Sequence, residues 1–327
     1  MRPFRLVLPQ SVSAAVSACG DSFAATKIMA GGTDLLGEIK EGIAAPESVV
    51  NLKTIPGLDR IRRTERGLEI GALVKLSAVA EHDEIRRDYG ALATTIGRTA
   101  TPQLRNVGTL AGNLCQRPRC HYYRHEDYPC LRKGGSMCYA LLGENEFHAI
   151  FDNRKCAVVH ASNTAPVLIG YDAQVEIAGP QGSATVRSLE DFFVGPDVNV
   201  QAENVLAPNW IVTTIILPPG TDRRNAAYLE AREKQSFDWA LCGATVTLRK
   251  RDDRIAESRV VLSAVAPTPQ RRRDLEGLLD GQSLTDELVE RVSKAATAKA
   301  SPLAQNAYKV RMLQVTLARA LREAWNG

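Results

Sequence analysis

The chain has 327 residues, which at roughly 150 residues per domain predicts about two domains. With 44% hydrophobic and 24% charged residues it is neither disordered nor fibrous, and no run of about 18 apolar residues offers a membrane span. The net charge of +4, from 41 basic against 37 acidic residues, is too even to point to a nucleic-acid partner.

In chain order, the opening alternates short strands and helices. Strands are predicted at 4–8, 27–30 and 48–52, with small-residue helices between them, a βαβαβ rhythm that implies a small parallel sheet. Gly67 to Leu76 reads as a strand pair or bent strand, followed by helices over 76–87 and 89–99 that Pro102 ends. Residues 106–112 form a glycine-punctuated loop, and 116–153 show no periodicity. A strand at 156–161, a helix at 165–170 and strands at 174–177 and 210–217 follow. Pro218-Pro219-Gly220 then marks a domain boundary, dividing the chain into 1–219 and 220–327. The second part predicts three antiparallel strands (226–232, 244–250, 259–266) and helices at 269–279, 285–299 and 306–325. The last carries Val310, Leu313, Leu317, Ala320 and Leu321 on one face. The expected class is α+β: a two-part first domain, one small parallel βαβ unit and one mixed or antiparallel sheet, then an antiparallel sheet with helices.

Two glycine loops stand out. Ala30-Gly31-Gly32-Thr33-Asp34 follows a strand and precedes a helix that starts at Leu35, with Asp34 at its N-cap. Glycines let backbone N–H groups approach a diphosphate. The loop matches neither G-x-G-x-x-G nor a Walker A sequence. Gly108-Thr109-Leu110-Ala111-Gly112-Asn113 is a second loop of the same kind. Two such loops in one domain point to a dinucleotide site, and two tight structural turns are the alternative.

Five of the seven cysteines fall between residues 115 and 156. Four of them, Cys120, Cys130, Cys138 and Cys156, are separated by nine, seven and seventeen residues. Four thiolates suit an iron–sulfur cluster or a tetrahedral zinc, and this spacing matches neither the zinc-ribbon nor the ferredoxin run. Six aromatics, Tyr122, Tyr123, Tyr128, Tyr139, Phe147 and Phe151, could shield a redox centre, and seven basic against five acidic residues between 116 and 155 would ease the charge of a thiolate cluster. His121, His125 and His148 keep zinc open, a segment without metal is the third reading, and Cys115 is a fifth candidate ligand.

The two glycine loops, the late Ala-Pro-Thr-Pro at 266–269 and the segment Lys234 to Ala240 together resemble the FAD-binding middle subunit of bacterial molybdenum hydroxylases, the xanthine dehydrogenase and carbon monoxide dehydrogenase group. In that subunit the 234–240 segment enters a helix. The cysteine segment resembles an insertion, found in two subclasses, that adds a [4Fe–4S] cluster; these are an aromatic-aldehyde oxidoreductase and 4-hydroxybenzoyl-CoA reductase. Residues 116–123, Pro129-Cys130, Cys138 and 144–150 are closer to the aldehyde type.

The resemblance implies that Ala30, Gly31, Gly32, Thr33 and Asp34, flanked by Met29 and Leu35, cradle the FAD pyrophosphate, with Gly108, Thr109, Gly112 and Asn113 as a second wall. Ser162 and Asn163 would lie near the ribityl chain. Cys120, Cys130, Cys138 and Cys156 would hold the [4Fe–4S] cluster, leaving Cys115 as a neighbour. Glu230 stands where relatives that use NAD carry a lysine, which argues against NAD as acceptor. The substrate chemistry would sit on a large molybdenum-cofactor subunit, with two [2Fe–2S] clusters on a small subunit, and electrons would leave to an external acceptor such as ferredoxin or a quinone. Electron flow in the reductase direction, or a flavin scaffold with structural zinc, are the alternatives. The first ten residues lack the apolar stretch of an export signal, so the cytoplasm is the expected compartment, with co-export on a signal-bearing partner to the periplasm as the alternative.

Overall fold

The computed structural model describes residues 2–234 and 237–327. Among them are three sheets, arranged in chain order. The first is parallel, with strands β1 (Arg5–Val7), β2 (Thr26–Met29) and β3 (Ser48–Asn51) in the order β1-β3-β2. Helix Val12–Cys19 covers it, opened by Ser11, whose hydroxyl accepts the Ala14 N–H at 3.1 Å, and turning Ala15, Val16 and Cys19 into the core.

The second sheet is antiparallel, with strands β4 (Ile61–Thr64), β5 (Gly67–Gly71), β6 (Gln174–Ala178), β7 (Ala184–Ser188) and β8 (Ile211–Leu217) in the order β4-β5-β8-β6-β7. Helices 90–97 and 164–170 pack on it and form the largest core cluster. The third sheet is also antiparallel: β9 (Asn225–Ala231), β10 (Cys242–Arg251), β11 (Arg254–Ser263) and β12 (Gln270–Arg271), ordered β12-β11-β10-β9. Residues 242–248 of β10 are all buried because helix Tyr308–Asn326 lies against the strand and helix Thr164–Gly170 also touches it. The α+β class and the parallel-then-antiparallel order follow the sequence expectation.

Four expectations change. The expected strand 156–161 is extended but joins no ladder; its His160 N–H donates to Ala266 O at 2.9 Å and Ala157 O accepts from Ala149 N–H, so single bonds replace a strand partner. The helix expected over 76–87 divides at His82, whose ψ of 122° is extended. Helix Leu110–Leu114 begins inside the expected 106–112 loop. Residues 237–240 lead irregularly into β10 rather than into a helix, and Gln235 and Ser236 lie outside the described residues. No helix among the described residues is long and apolar enough to cross a membrane.

Candidate functional site

The two glycine loops meet. A Cβ on Gly31 would lie 2.3 Å from Val107 O, so the loops reach this separation only without a side chain at Gly31. Gly32 has φ of +78°, the left-handed region that glycine adopts at little cost. Thr109 caps helix Leu110–Leu114 by accepting the Gly112 N–H at 3.2 Å, which turns the second loop toward the first.

Between the loops opens a cleft of about 1040 Å³ lined by Met29 to Leu35, Gly108, Thr109, Gly112, Asn113, Ser162 and Asn163, every one of the residues singled out for cofactor contact. Its size suits an extended ligand, at the upper end of ordinary small-molecule sites of about 300–1,000 Å³. Asn113 is the polar hub: its Oδ1 accepts from Ser162 Oγ and Thr164 Oγ1, each at 2.6 Å, while Asn163 Oδ1 accepts from Thr99 Oγ1 at 3.0 Å. Asn113→Ala removes the acceptor of two buried hydroxyls, and is expected to lower unfolding free energy by about 1–3 kcal/mol in a denaturant titration, together with flavin content.

Asp34 occupies the N-cap position but makes no cap hydrogen bond. Its carboxylate instead accepts from Arg117 N–H at 2.8 Å, Arg119 at 2.8 Å and Arg124 at 2.7 Å, all from the cysteine segment. Arginines that sequence reasoning passed over therefore tie that segment to the first glycine loop. Lys27 on β2 also lines the cleft, and burial, then the Arg117 charge, lowers its pKa. Across the cleft, Tyr228 Oη donates to Glu230 at 2.8 Å, Arg232 bonds the same carboxylate, and the Arg119 guanidinium lies 4.7 Å from the Trp239 ring centroid. The Asp34–arginine contacts and the Arg119–Trp239 stacking join residues more than 80 positions apart.

His160 is buried, lines the cleft and stacks edge-on at 4.6 Å from Phe193. Its Nδ1 accepts the Ser162 N–H at 3.3 Å and its Nε2 is buried without a partner. Burial lowers its pKa to about 4, so it is a neutral donor into the cleft.

The cysteine segment folds as short turns of helix at 121–124, 131–133 and 139–141. Cys120, Cys130, Cys138 and Cys156 line one small cavity, together with Tyr122, Tyr123, Arg132, Tyr139 and His148. Cys115 lines the flavin-sized cleft instead. Burial pushes the Cys120 thiol up to about 11, and His148 Nε2 lies 3.2 Å from its sulfur. A hydrogen bond from the Cys138 thiol, and then the nearby Arg132 charge, hold Cys156 below its ordinary range against burial. No group of three or more His, Cys, Asp or Glu among the described residues is gathered as tightly as a single metal ion requires. Four thiols around one cavity, without a carboxylate among its lining, fit a larger sulfur-rich group in donor chemistry. Of the six aromatics expected to shield this centre, Tyr122, Tyr123 and Tyr139 do line it, whereas Tyr128 and Phe147 are exposed and Phe151 packs in the core of the third sheet.

Both halves of the chain match known families: residues 2–220 the FAD binding domain in molybdopterin dehydrogenase, and residues 226–324 the CO dehydrogenase flavoprotein C-terminal domain. The chain is 34% identical over 303 residues to the aldehyde oxidoreductase FAD-binding subunit PaoB of Escherichia coli, covering 91% of each chain. It is 28% identical to the carbon monoxide dehydrogenase medium chain of Hydrogenophaga pseudoflava, over 98% of this chain and 97% of that one. The solved carbon monoxide dehydrogenase from that organism superposes with a TM-score of 0.79 at 26% identity, covering 100% of this chain and 99% of the other. With both glycine loops on one cleft and the family matched along nearly its whole length, the chain belongs to the FAD-binding medium subunits of the molybdenum hydroxylase and carbon monoxide dehydrogenase family of oxidoreductases.

Proposed function

We propose that this chain is the FAD and [4Fe–4S] electron-transfer subunit of a three-subunit molybdenum-dependent hydroxylase that oxidises aldehydes. The observation that carries this reading is the shared cavity of Cys120, Cys130, Cys138 and Cys156 directly beside the cleft. The 34% identity to an aldehyde oxidoreductase subunit favours aldehydes as the substrate class. The large partner would hold the molybdenum cofactor, the small partner two [2Fe–2S] clusters, and an external acceptor such as ferredoxin or a quinone would take the electrons.

When bound, FAD can exchange electrons singly or in pairs, and the cluster would carry them one at a time. The chain's own residues bind and orient. The 30–34 loop would supply backbone N–H groups to a diphosphate, and 109–113 form the facing wall, where the N–H groups of Leu110 to Asn113 are already used within the chain. Asn113, Ser162, Thr164, Asn163 and Thr99 hold a fixed array of hydroxyls and amides along one wall. His160 offers a neutral N–H from the same side. None is placed as a general acid or base for a substrate, in keeping with chemistry on a partner chain.

Cys120→Ser tests the ligand set. In the anaerobically purified complex it is expected to remove about four iron atoms and the matching sulfide, with FAD retained. Full iron in that variant, or one zinc per chain without sulfide in the unmodified complex, would overturn the cluster assignment.

A further inference from the structure

The wall between the cleft and the cysteine cavity is built from two side chains that line both, Tyr123 and Arg132. Tyr123 is a neutral spacer; its hydroxyl donates to Glu38 at 2.6 Å and accepts from Arg117 Nε at 2.8 Å. Arg132 is a permanent charge. Its side chain is only 2% exposed. It donates to Glu203 and, at 3.2 Å, to Ala202 O, and its Nε is buried with no acceptor among the described residues.

The counter-charge is shared. Glu203 takes a second guanidinium, Arg117, at 2.6 Å on its other oxygen. Arg117 also has Glu38 at 3.9 Å and is a quarter exposed, so Arg132 and Glu203 are the charges of the partition that water does not reach. Charges interact far more strongly there than at a surface. Burying a guanidinium is costly, and the unpartnered Nε–H leaves part of that cost uncompensated. Arg132 lines the cysteine cavity and Glu203 does not, so the positive end of the pair is the one presented to whatever fills that cavity.

We propose that Arg132 is a positioning residue whose charge sets the reduction potential of the iron–sulfur centre held by Cys120, Cys130, Cys138 and Cys156. This rests on the cluster reading above. Reduction adds one electron, and so one negative charge, to the centre, with no bond made or broken. A fixed cation beside it favours the reduced form, and the orphaned Nε–H gains an acceptor in a sulfur of the centre.

The test is an EPR-monitored redox titration of the intact complex, with iron, sulfide and flavin measured first. Arg132→Gln is expected to keep iron and FAD and to shift the one-electron equilibrium of the centre about tenfold toward the oxidised form, 59 mV more negative. Arg132→Lys, which keeps the charge, is expected to recover most of that shift. Glu203→Gln, near-isosteric and removing the counter-charge, is expected to move the potential the opposite way. A merely structural Arg132 would not give shifts of opposite sign. An unmoved potential in a fully loaded Arg132→Gln complex, or both variants shifting in one direction, overturns the proposal. If Arg132→Gln does not assemble, Glu203→Gln decides alone, and no positive shift there overturns it. Absence of a [4Fe–4S] signal from the unmodified complex would instead sink the cluster reading beneath it.

Discussion

Gly31→Val is expected to strip the flavin from the chain. The three atoms that a Cβ at this position would meet first are all backbone: Val107 O at 2.3 Å, Val107 C at 3.0 Å and Gly108 Cα at 3.1 Å. No side chain can swing aside, so the two loops must part, and they form facing walls of the cleft. Overpacking of this kind costs about 1–3 kcal/mol, and each 1.4 kcal/mol is tenfold in affinity, so FAD should bind roughly ten- to a hundredfold more weakly. Gly37→Ala is the contrast. It lies in the helix just after the same loop, a Cβ there would meet nothing within 4 Å, and alanine favours a helix interior by about 0.5–1 kcal/mol. Flavin absorbance per chain in the two variants, with the FAD dissociation constant by fluorescence, checks the pair. Full flavin in Gly31→Val would show that the loops are not the binding walls.

The second large effect is a pH dependence at Lys309, a fully buried ammonium with no carboxylate partner among the described residues. Its Nζ donates to Phe147 O and His148 O at 3.0 Å and to Ala264 O at 3.2 Å. Burial lowers its pKa from 10.5 to about 8. Across that window the unfolded chain carries a proton that the folded chain has released, so this group makes the folded state more stable as pH rises from 8 to 10.5. Below pH 8 both states are protonated and the full cost of burying the charge is present. The shift corresponds to roughly 3 kcal/mol. Lys309→Met abolishes the titration, so the stability of the native chain minus that of the variant should rise by about that amount between pH 8 and 10.5 in denaturant unfolding. A difference flat across that range would mean that the lysine titrates as if exposed.

Much of the fold is legible in the sequence where one face of an element is apolar. Helix 308–326 buries Leu313, Leu317, Ala320 and Leu321, four of the five residues picked by spacing. Strand β7 escapes notice because all five of its residues are exposed at a sheet edge, leaving no alternation to read. The glycine loops are legible as motifs, since a strand–Gly-Gly–helix turn is a local feature. The partners of Asp34 are not. An acid before a helix reads as a cap, yet its bonds go to arginines 83 to 90 residues away. Glu38, Arg117, Arg132 and Glu203 are invisible for the same reason, each being an ordinary charged residue until the chain brings it beside the others. The clustering of five cysteines is plain in the sequence, but the wall separating their cavity from the cleft exists only in three dimensions.

The cysteine segment is held from both ends of the polypeptide. Asp34 and Glu38 bind its arginines and Tyr123 on one side, while Asn306 Nδ2 donates to Asn145 O, His148 O and Ala149 O on the other, beside Lys309. It is therefore no detachable cassette. Excising it would strand two acids, a buried amide and a buried ammonium, so those four outlying positions should be inherited or lost with it. Together they are a fingerprint by which the segment's presence can be recognised from residues outside it.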